Sequence, residues 1–297
     1  MDEEELKTFE GFLAPTFTAF DDNEEKSLNF DQIETYARWL KYHKAVGVLV
    51  NSITGEGPIL GKNERQLNAE AWSVVCKKYK LKLMIQIGGA PMPDVLDFAR
   101  HASSLNANGV VCLPELFYKP KDVQQLVGYC KIVARNCSPI PFIYYHLPRY
   151  TGVQVDMSEF CALAEECIPN FAGIDYSHSD IALAAKCLAP NRMIILSDSR
   201  MLSSGLLLGF KTFCMTAFNM VPDELYDICD FMKSGQLNLA RKEQKHLNNT
   251  IRERISMQKK GNWLKAMKQW FNDEIRKQYG VTFSPGRARK LGYPAFK

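Results

Sequence analysis

An α/β fold of the closed (βα)8 class, a TIM barrel with a C-terminal helical extension, is the architecture this sequence predicts, and three observations predict it. Short apolar segments alternate with segments of helical period along most of the chain. The apolar segments are rich in Val, Ile and Leu and run continuously, as strands of a parallel sheet covered on both faces must. Eight such pairs fit before the pattern changes, which suits a closed barrel better than an open doubly wound sheet. No GxGxxG follows the first apolar run, so a dinucleotide site has no support.

Taken in order, Phe12 to Thr18 reads as the first strand, and Asp31 to His43 as a helix with Ile33, Tyr36, Ala37 and Leu40 on one face. Val46 to Asn51 is a buried strand, Glu64 to Tyr79 a helix, Leu83 to Gly88 a strand, Pro93 to Leu105 a helix and Gly109 to Leu113 a strand. A helix from Asp122 to Arg135 leads to a strand from Pro141 to Tyr145, then a helix from Ser158 to Cys167 and a strand from Phe171 to Asp175. The series closes with a helix from Ile181 to Cys187, a strand from Met193 to Ser197, a helix from Met201 to Leu208, a strand from Phe213 to Thr216 and a helix from Asp223 to Met232. Gln236 to Tyr279 holds two further helical patterns, and the tail from Gly280, with Pro285, Gly286 and Pro294, reads as a wrapped segment. No linker divides the chain, so the expectation is one domain over residues 1–297, with the barrel at 10–232 and the helical extension at 233–297.

Composition narrows the function classes. An apolar share of 46% and a charged share of 24% are those of a globular protein. A net charge of +4, from 37 basic and 33 acidic residues, is too slight to imply nucleic acid or a membrane surface. The late basic residues, from Arg252 and Arg254 to Lys265, Lys268, Arg276 and Lys277, are interleaved with acids and apolar residues at helical spacing, as on solvated helix faces. Nine cysteines show no CxxC and no metal-site spacing, and an odd count points to a reducing compartment. The acidic opening MDEEELK is the wrong sign for a targeting signal, and no apolar run reaches membrane length; a cytoplasmic protein is expected.

The chemistry concentrates at FAGIDYSHSD, residues 171–180, where a strand ends in ionisable groups and leads into a helix. In a barrel, only the C-terminal strand ends open onto a pocket. Ser177, Ser179 and Asp180 also suit a helix N-terminal box. Asp175 comes too early for a cap, which makes it the candidate catalytic group.

NSITGEG at residues 51–57, Tyr144-Tyr145-His146-Leu147-Pro148 and Gly173-Ile174 together resemble the N-acetylneuraminate lyase and dihydrodipicolinate synthase family of barrel aldolases, on the side of the animal lyases. Glu64-Arg65, Lys119-Pro120, Thr151-Gly152-Val153 and Phe218-Asn219 add to the likeness, which covers about residues 11–219. The resemblance implies a lysine at the end of the sixth strand that forms a Schiff base with a keto acid. It assigns that position to Asp175, and a carboxylate cannot form an imine. No lysine occurs between Gly173 and Ala185; Lys186 lies in the next helix and Lys211 at the far end of the barrel.

Other positions depart in the same direction. Where the family's carboxylate-binding turn carries two hydroxyl residues, this chain has Ile53 and Thr54, followed by Gly55. The places that read the keto acid and polyol tail fall at Ser197, Ser199 and Arg200, which argues against sialic acid recognition. Cys214-Met215-Thr216-Ala217 narrows the eighth strand end, with Thr216 facing the ligand. Tyr145 matches the family's proton-relaying phenol, with Thr54 its expected partner. Tyr176, Ser177, His178 and Glu115 are added polar groups, and His178 is placed for orientation by a neighbouring aspartate. His146 should point away from the barrel axis by strand alternation, and Arg149 stands one position before an arginine of the related synthases.

The expectation is therefore a divergent lyase-like enzyme without Schiff-base chemistry, using Asp175, Tyr145 and His178 in acid/base catalysis on a small polar substrate, with an amine favoured by the reversed charge. Condensation, cyclisation, elimination and decarboxylation all fit. A non-catalytic protein binding a keto acid or sugar acid, and residual lyase activity, remain as alternatives. No metal or organic cofactor is called for. The resemblance implies a homotetramer or dimer, with Phe117 and Tyr118 at the contact.

Overall fold

A computed structural model of the chain describes residues 9–21, 27–258 and 263–280. Its strands are β1 (Gly11–Pro15), β2 (Gly47–Val50), β3 (Lys82–Gln86), β4 (Gly109–Cys112), β5 (Phe142–His146), β6 (Phe171–Tyr176), β7 (Met193–Leu196) and β8 (Thr212–Cys214). All neighbours pair in parallel, and β8 returns to β1 through Gly11↔Thr212, Phe12↔Phe213 and Leu13↔Cys214. The sheet is a closed TIM barrel, so it has no edge to protect.

Between the strands lie α1 (Asp31–Tyr42), α2 (Lys62–Tyr79), α3 (Met92–Ser104), α4 (Val123–Cys137), α5 (Pro148–Thr151), α6 (Met157–Cys167), α7 (Ile181–Ala185) and α8 (Leu202–Leu208); α9 (Pro222–Lys233), α10 (Leu237–Ser256) and α11 (Trp263–Tyr279) follow β8. The periodic face of α1 is the one it buries, Ile33, Tyr36, Ala37 and Leu40, with Trp39 in addition. Asp122, Asp156 and Asp180 cap α4, α6 and α7 by accepting backbone N–H groups of the first turn.

Strand alternation divides the core in two. Residues facing the axis, among them Leu13, Leu49, Met84, Val111, Ile143, Ala172, Ile195 and Cys214, fill the barrel, while a larger cluster packs between sheet and helices. On β5, Phe142 and Tyr144 face the helices and Ile143 and Tyr145 the axis. Gly173 permits the closest strand contact: its φ is +146°, and a Cβ there would stand 1.9 Å from the Met193 carbonyl oxygen.

Several strands are shorter than their apolar runs. β1 ends at Pro15, yet Thr16 and Thr18 stay buried, because the chain leaves the ladder at the barrel mouth without leaving the core. The one-turn α5 was not expected; Pro148 at its first position favours it. All nine cysteines are free thiols and eight are buried, as small apolar residues. The wrapped tail expected after Gly280, with Arg287, Arg289 and Lys290, lies outside the described residues, as do Lys259 and Lys260.

Two contacts fasten the last helices to the barrel mouth. On α10, Gln244 donates from Nε2 to the Ser199 carbonyl at 3.0 Å and accepts the Ser203 N–H at 2.9 Å. On α11, the fully buried Lys268 ammonium meets the buried Glu56 carboxylate and donates to the Thr18 carbonyl at 3.2 Å. Among the described residues, no helix is long and apolar enough to cross a membrane.

Candidate active site

The turn after β2 is built from inside. Asn51 and Glu56 hold left-handed backbone, at φ 59° and 60°, and a Cβ on Gly57 would stand 1.8 Å from the Asn51 carbonyl oxygen. The Asn51 side chain donates to the Arg65 carbonyl and accepts from Asn68, both at 2.8 Å. Arg65 in turn donates to the carbonyls of Gln86 (2.8 Å) and Gly88 (3.1 Å) and lies 4.2 Å from the Phe98 ring centre. This buried polar network holds the turn in one shape and sets Ile53 and Thr54 on the wall of a cavity. Gly55 stays in the turn, its carbonyl accepting from Thr18.

The cavity, of about 650 Å³, opens at the C-terminal strand ends. Tyr145, Ser177 and Ser197, from the ends of β5, β6 and β7, line it, and Asp175 lies beside them off the wall, in register with Tyr145 and with Ile195. Asp175 is fully buried; Oδ1 accepts from the Ser197 hydroxyl at 2.5 Å, and Oδ2 has no hydrogen-bond partner. Burial pushes the Asp175 carboxyl up to about 7, against a smaller opposing pull from Ser197. Burial first, and then the Asp175 charge, hold the Tyr145 phenol well above its usual value, so it keeps its proton.

Of the other expected site residues, Ile53, Thr54, Ser177, His178, Ser197, Ser199, Arg200 and Thr216 line the cavity with Tyr145, and so does Arg149. Thr54 was expected to partner Tyr145, but its hydroxyl lies 3.0 Å from that of Thr216. His178 is oriented by its own turn rather than by Asp175. Its Nδ1 accepts the Asp180 N–H at 3.1 Å, which leaves the proton of the neutral ring on Nε2. Arg200 is bound to Asp198 through Nε and Nη2.

Four expected residues are not on the cavity wall: Asp175, which meets it only through Ser197, Gly55 in its turn, Glu115 and Tyr176. Glu115 bends back on its own loop, where Oε1 accepts the N–H of Phe117 at 2.9 Å and of Tyr118 at 3.4 Å. Tyr176, one residue past Asp175, projects to the other face of β6; its hydroxyl donates to the Asp180 carbonyl and its ring packs 5.1 Å from His146. His146 is on that outer face, as alternation requires, and burial draws its pKa down to about 4.

Sequence reasoning missed the cover. Ile251 and Ile255 of α10 and Trp263 and Met267 of α11 line the same cavity. Their i, i+4 spacing was visible as an apolar stripe, but nothing local says that the stripe turns toward the barrel mouth.

The comparisons with known proteins agree with this architecture. A model of the dihydrodipicolinate synthetase family matches residues 8–270. N-acetylneuraminate lyase of Gallus gallus is 28% identical over 243 residues, covering 80% of this chain and 78% of the relative. The human N-acetylneuraminate lyase is 28% identical over 239 residues, 79% and 74% of the two chains. Among solved structures, the N-acetylneuraminate lyase (sialic acid aldolase) of Aliivibrio salmonicida superposes with a TM-score of 0.82 at 25% identity, covering 89% of this chain and 87% of that one. The fold also matches the Proteus mirabilis N-acetylneuraminate lyase, with a TM-score of 0.85 at 23% identity over 95% and 92% of the chains. With a closed barrel, a cavity at its C-terminal mouth and a family match over nearly its whole length, this chain belongs to the dihydrodipicolinate synthetase family.

Proposed function

We propose that this lyase-family barrel has lost Schiff-base chemistry and works by acid/base catalysis through Asp175 and Tyr145 on a small polar substrate, with an amine the class its charge favours. The observation that carries this reading lies next to the cavity wall: a fully buried carboxylate with one unpartnered oxygen, bonded to the wall residue Ser197, and no lysine among the described residues lining the wall. Lys268, the buried lysine of the mouth, is engaged by Glu56 and the Thr18 carbonyl.

A carboxyl near 7 is divided between its two forms at neutral pH, which suits a group that must take a proton and return it. The Tyr145 phenol keeps its proton and supplies it where negative charge grows on the substrate, and His178 offers Nε2–H nearer the mouth. Ionised Asp175 is costly to bury alone, so an ammonium at Oδ2 relieves the cost while a keto acid's carboxylate adds to it. Condensation, cyclisation, elimination and decarboxylation each use such a base and acid. The same reading takes the protein as a cytoplasmic homo-oligomer, like the family the sequence resembles.

The test is thermal stability with pyruvate, N-acetylneuraminate and small amines, beside an Asp175→Asn variant, followed by borohydride treatment and intact mass. An amine at a hundred times its dissociation constant is expected to stabilise the parent by about 2.7 kcal/mol and the variant much less. No keto acid adduct is expected after reduction. A trapped adduct, or equal stabilisation of both forms by keto acids alone, overturns the reading.

A further inference from the structure

We infer that α10 and α11 give the cavity an apolar subsite, so that its ligand is an amphipathic amine: the amine goes to Asp175 and a hydrocarbon or aromatic body lies against the C-terminal helices. The inference rests on the assignment of the amine to Asp175 and adds what the rest of the molecule must be.

The cavity wall has two sources of unlike chemistry. Strand ends and their loops supply all the hydroxyls and charges, beside apolar residues such as Ile53 and Leu147, whereas Ile251, Ile255, Trp263 and Met267 supply only apolar surface and a single indole N–H. The two isoleucines stand one turn apart on α10, and Trp263 and Met267 one turn apart on α11, so each pair forms a short ridge on one helix face. Met267 is 2% exposed, but Ile251, Ile255 and Trp263 are only half-buried and keep apolar area for a ligand to cover. A polyol tail would leave its hydroxyls without partners against this surface, which is unfavourable.

The ridges are held in place. Gln244 ties α10 to the Ser199 carbonyl and the Ser203 N–H two turns before Ile251, and Lys268 ties α11 to Glu56 next to Met267. Their positions are therefore set before a ligand arrives, which lowers the ordering cost of binding. The volume points the same way. About 650 Å³ is ordinary for a ligand of drug-like size, and ethylamine at Asp175 would leave most of it unfilled.

Calorimetric titration with ethylamine, butylamine, hexylamine and 1-hexanol, on the parent, Asp175→Asn and Ile255→Thr, tests this. For the parent, affinity is expected to rise about fourfold for each added methylene, the hydrophobic increment of a buried CH2, and hexylamine to bind at least tenfold tighter than 1-hexanol. Ile255→Thr should flatten the chain-length series, lowering hexylamine affinity several times more than ethylamine affinity. If that variant does not fold, the parent series still decides, since it needs no substitution. An affinity independent of chain length, with amines still lost in Asp175→Asn, overturns the subsite and leaves the Asp175 assignment standing. Equal affinity for hexylamine and 1-hexanol, with the amine series still rising with chain length, overturns the amine and retains the apolar surface. No binding of any amine overturns both.

Discussion

Asp175 burdens the fold in a way that depends on pH. Burial pushes its carboxyl up to about 7 in the folded protein, against about 3.9 in an unfolded chain. As pH rises through this window the unfolded chain gives up its proton first, so the folded state holds more protons and stability falls; above about pH 7 the cost is complete. At about 1.4 kcal/mol per tenfold difference in proton affinity, it reaches roughly 4 kcal/mol at most. Asp175→Asn keeps the shape and removes the ionisation. Urea unfolding from pH 4 to 8 is expected to show the variant more stable at pH 8 and the gap closing toward pH 4. A variant less stable at pH 8 would mean that the carboxylate has a counter-charge. The position of Asp175 at a strand end was legible in the sequence. The partner that steadies it was not, because Ser197 lies 22 residues away and only the β6–β7 register brings the two together.

At the scale of elements, the strands and barrel helices were readable because burial imposes its period directly on the sequence, and α1 buries the face its spacing predicted. Loops were less readable. Glu115 looked like a pocket residue by its place after β4, but a carboxylate beside two backbone N–H groups bonds locally. The extension was legible as helices and not as a cover, since its anchors reach across the chain from Lys268 to Glu56 and from Gln244 to Ser199. The first anchor makes a measurable claim. Lys268→Met removes the ammonium from beside a buried carboxylate and is expected to destabilise by about 3–5 kcal/mol, whereas Lys268→Met with Glu56→Gln should recover most of the loss. Denaturant titration of the single and double variants checks it; equal losses in both would show that the pair's worth lies in packing rather than charge.

At the scale of the whole molecule, the surface carries a pair of aromatic rings that the barrel does not use. Phe117 and Tyr118 are each 82% exposed, their ring centres 4.9 Å apart in an edge-on arrangement, with Leu116 beside them also exposed. Glu115 accepts both of their backbone N–H groups, so the loop that presents them has a defined shape. Two large rings displayed together on an ordered loop make an apolar patch of the kind that marks a protein contact, and the resemblance in sequence puts the subunit contact at these positions. A second copy of this chain is accordingly the expected occupant. Sedimentation velocity should find the protein as a dimer or tetramer, and Phe117→Ser with Tyr118→Ser should shift it to a smaller species without unfolding it, because neither ring belongs to the core. Glu115→Ala should weaken the assembly in the same direction by loosening the loop, and it should leave amine binding at Asp175 unchanged because Glu115 bonds within its own loop after β4. A parent protein that sediments as a monomer would sink the assignment of these rings to self-association. An unchanged oligomer in the double variant would move the contact to another face of the barrel.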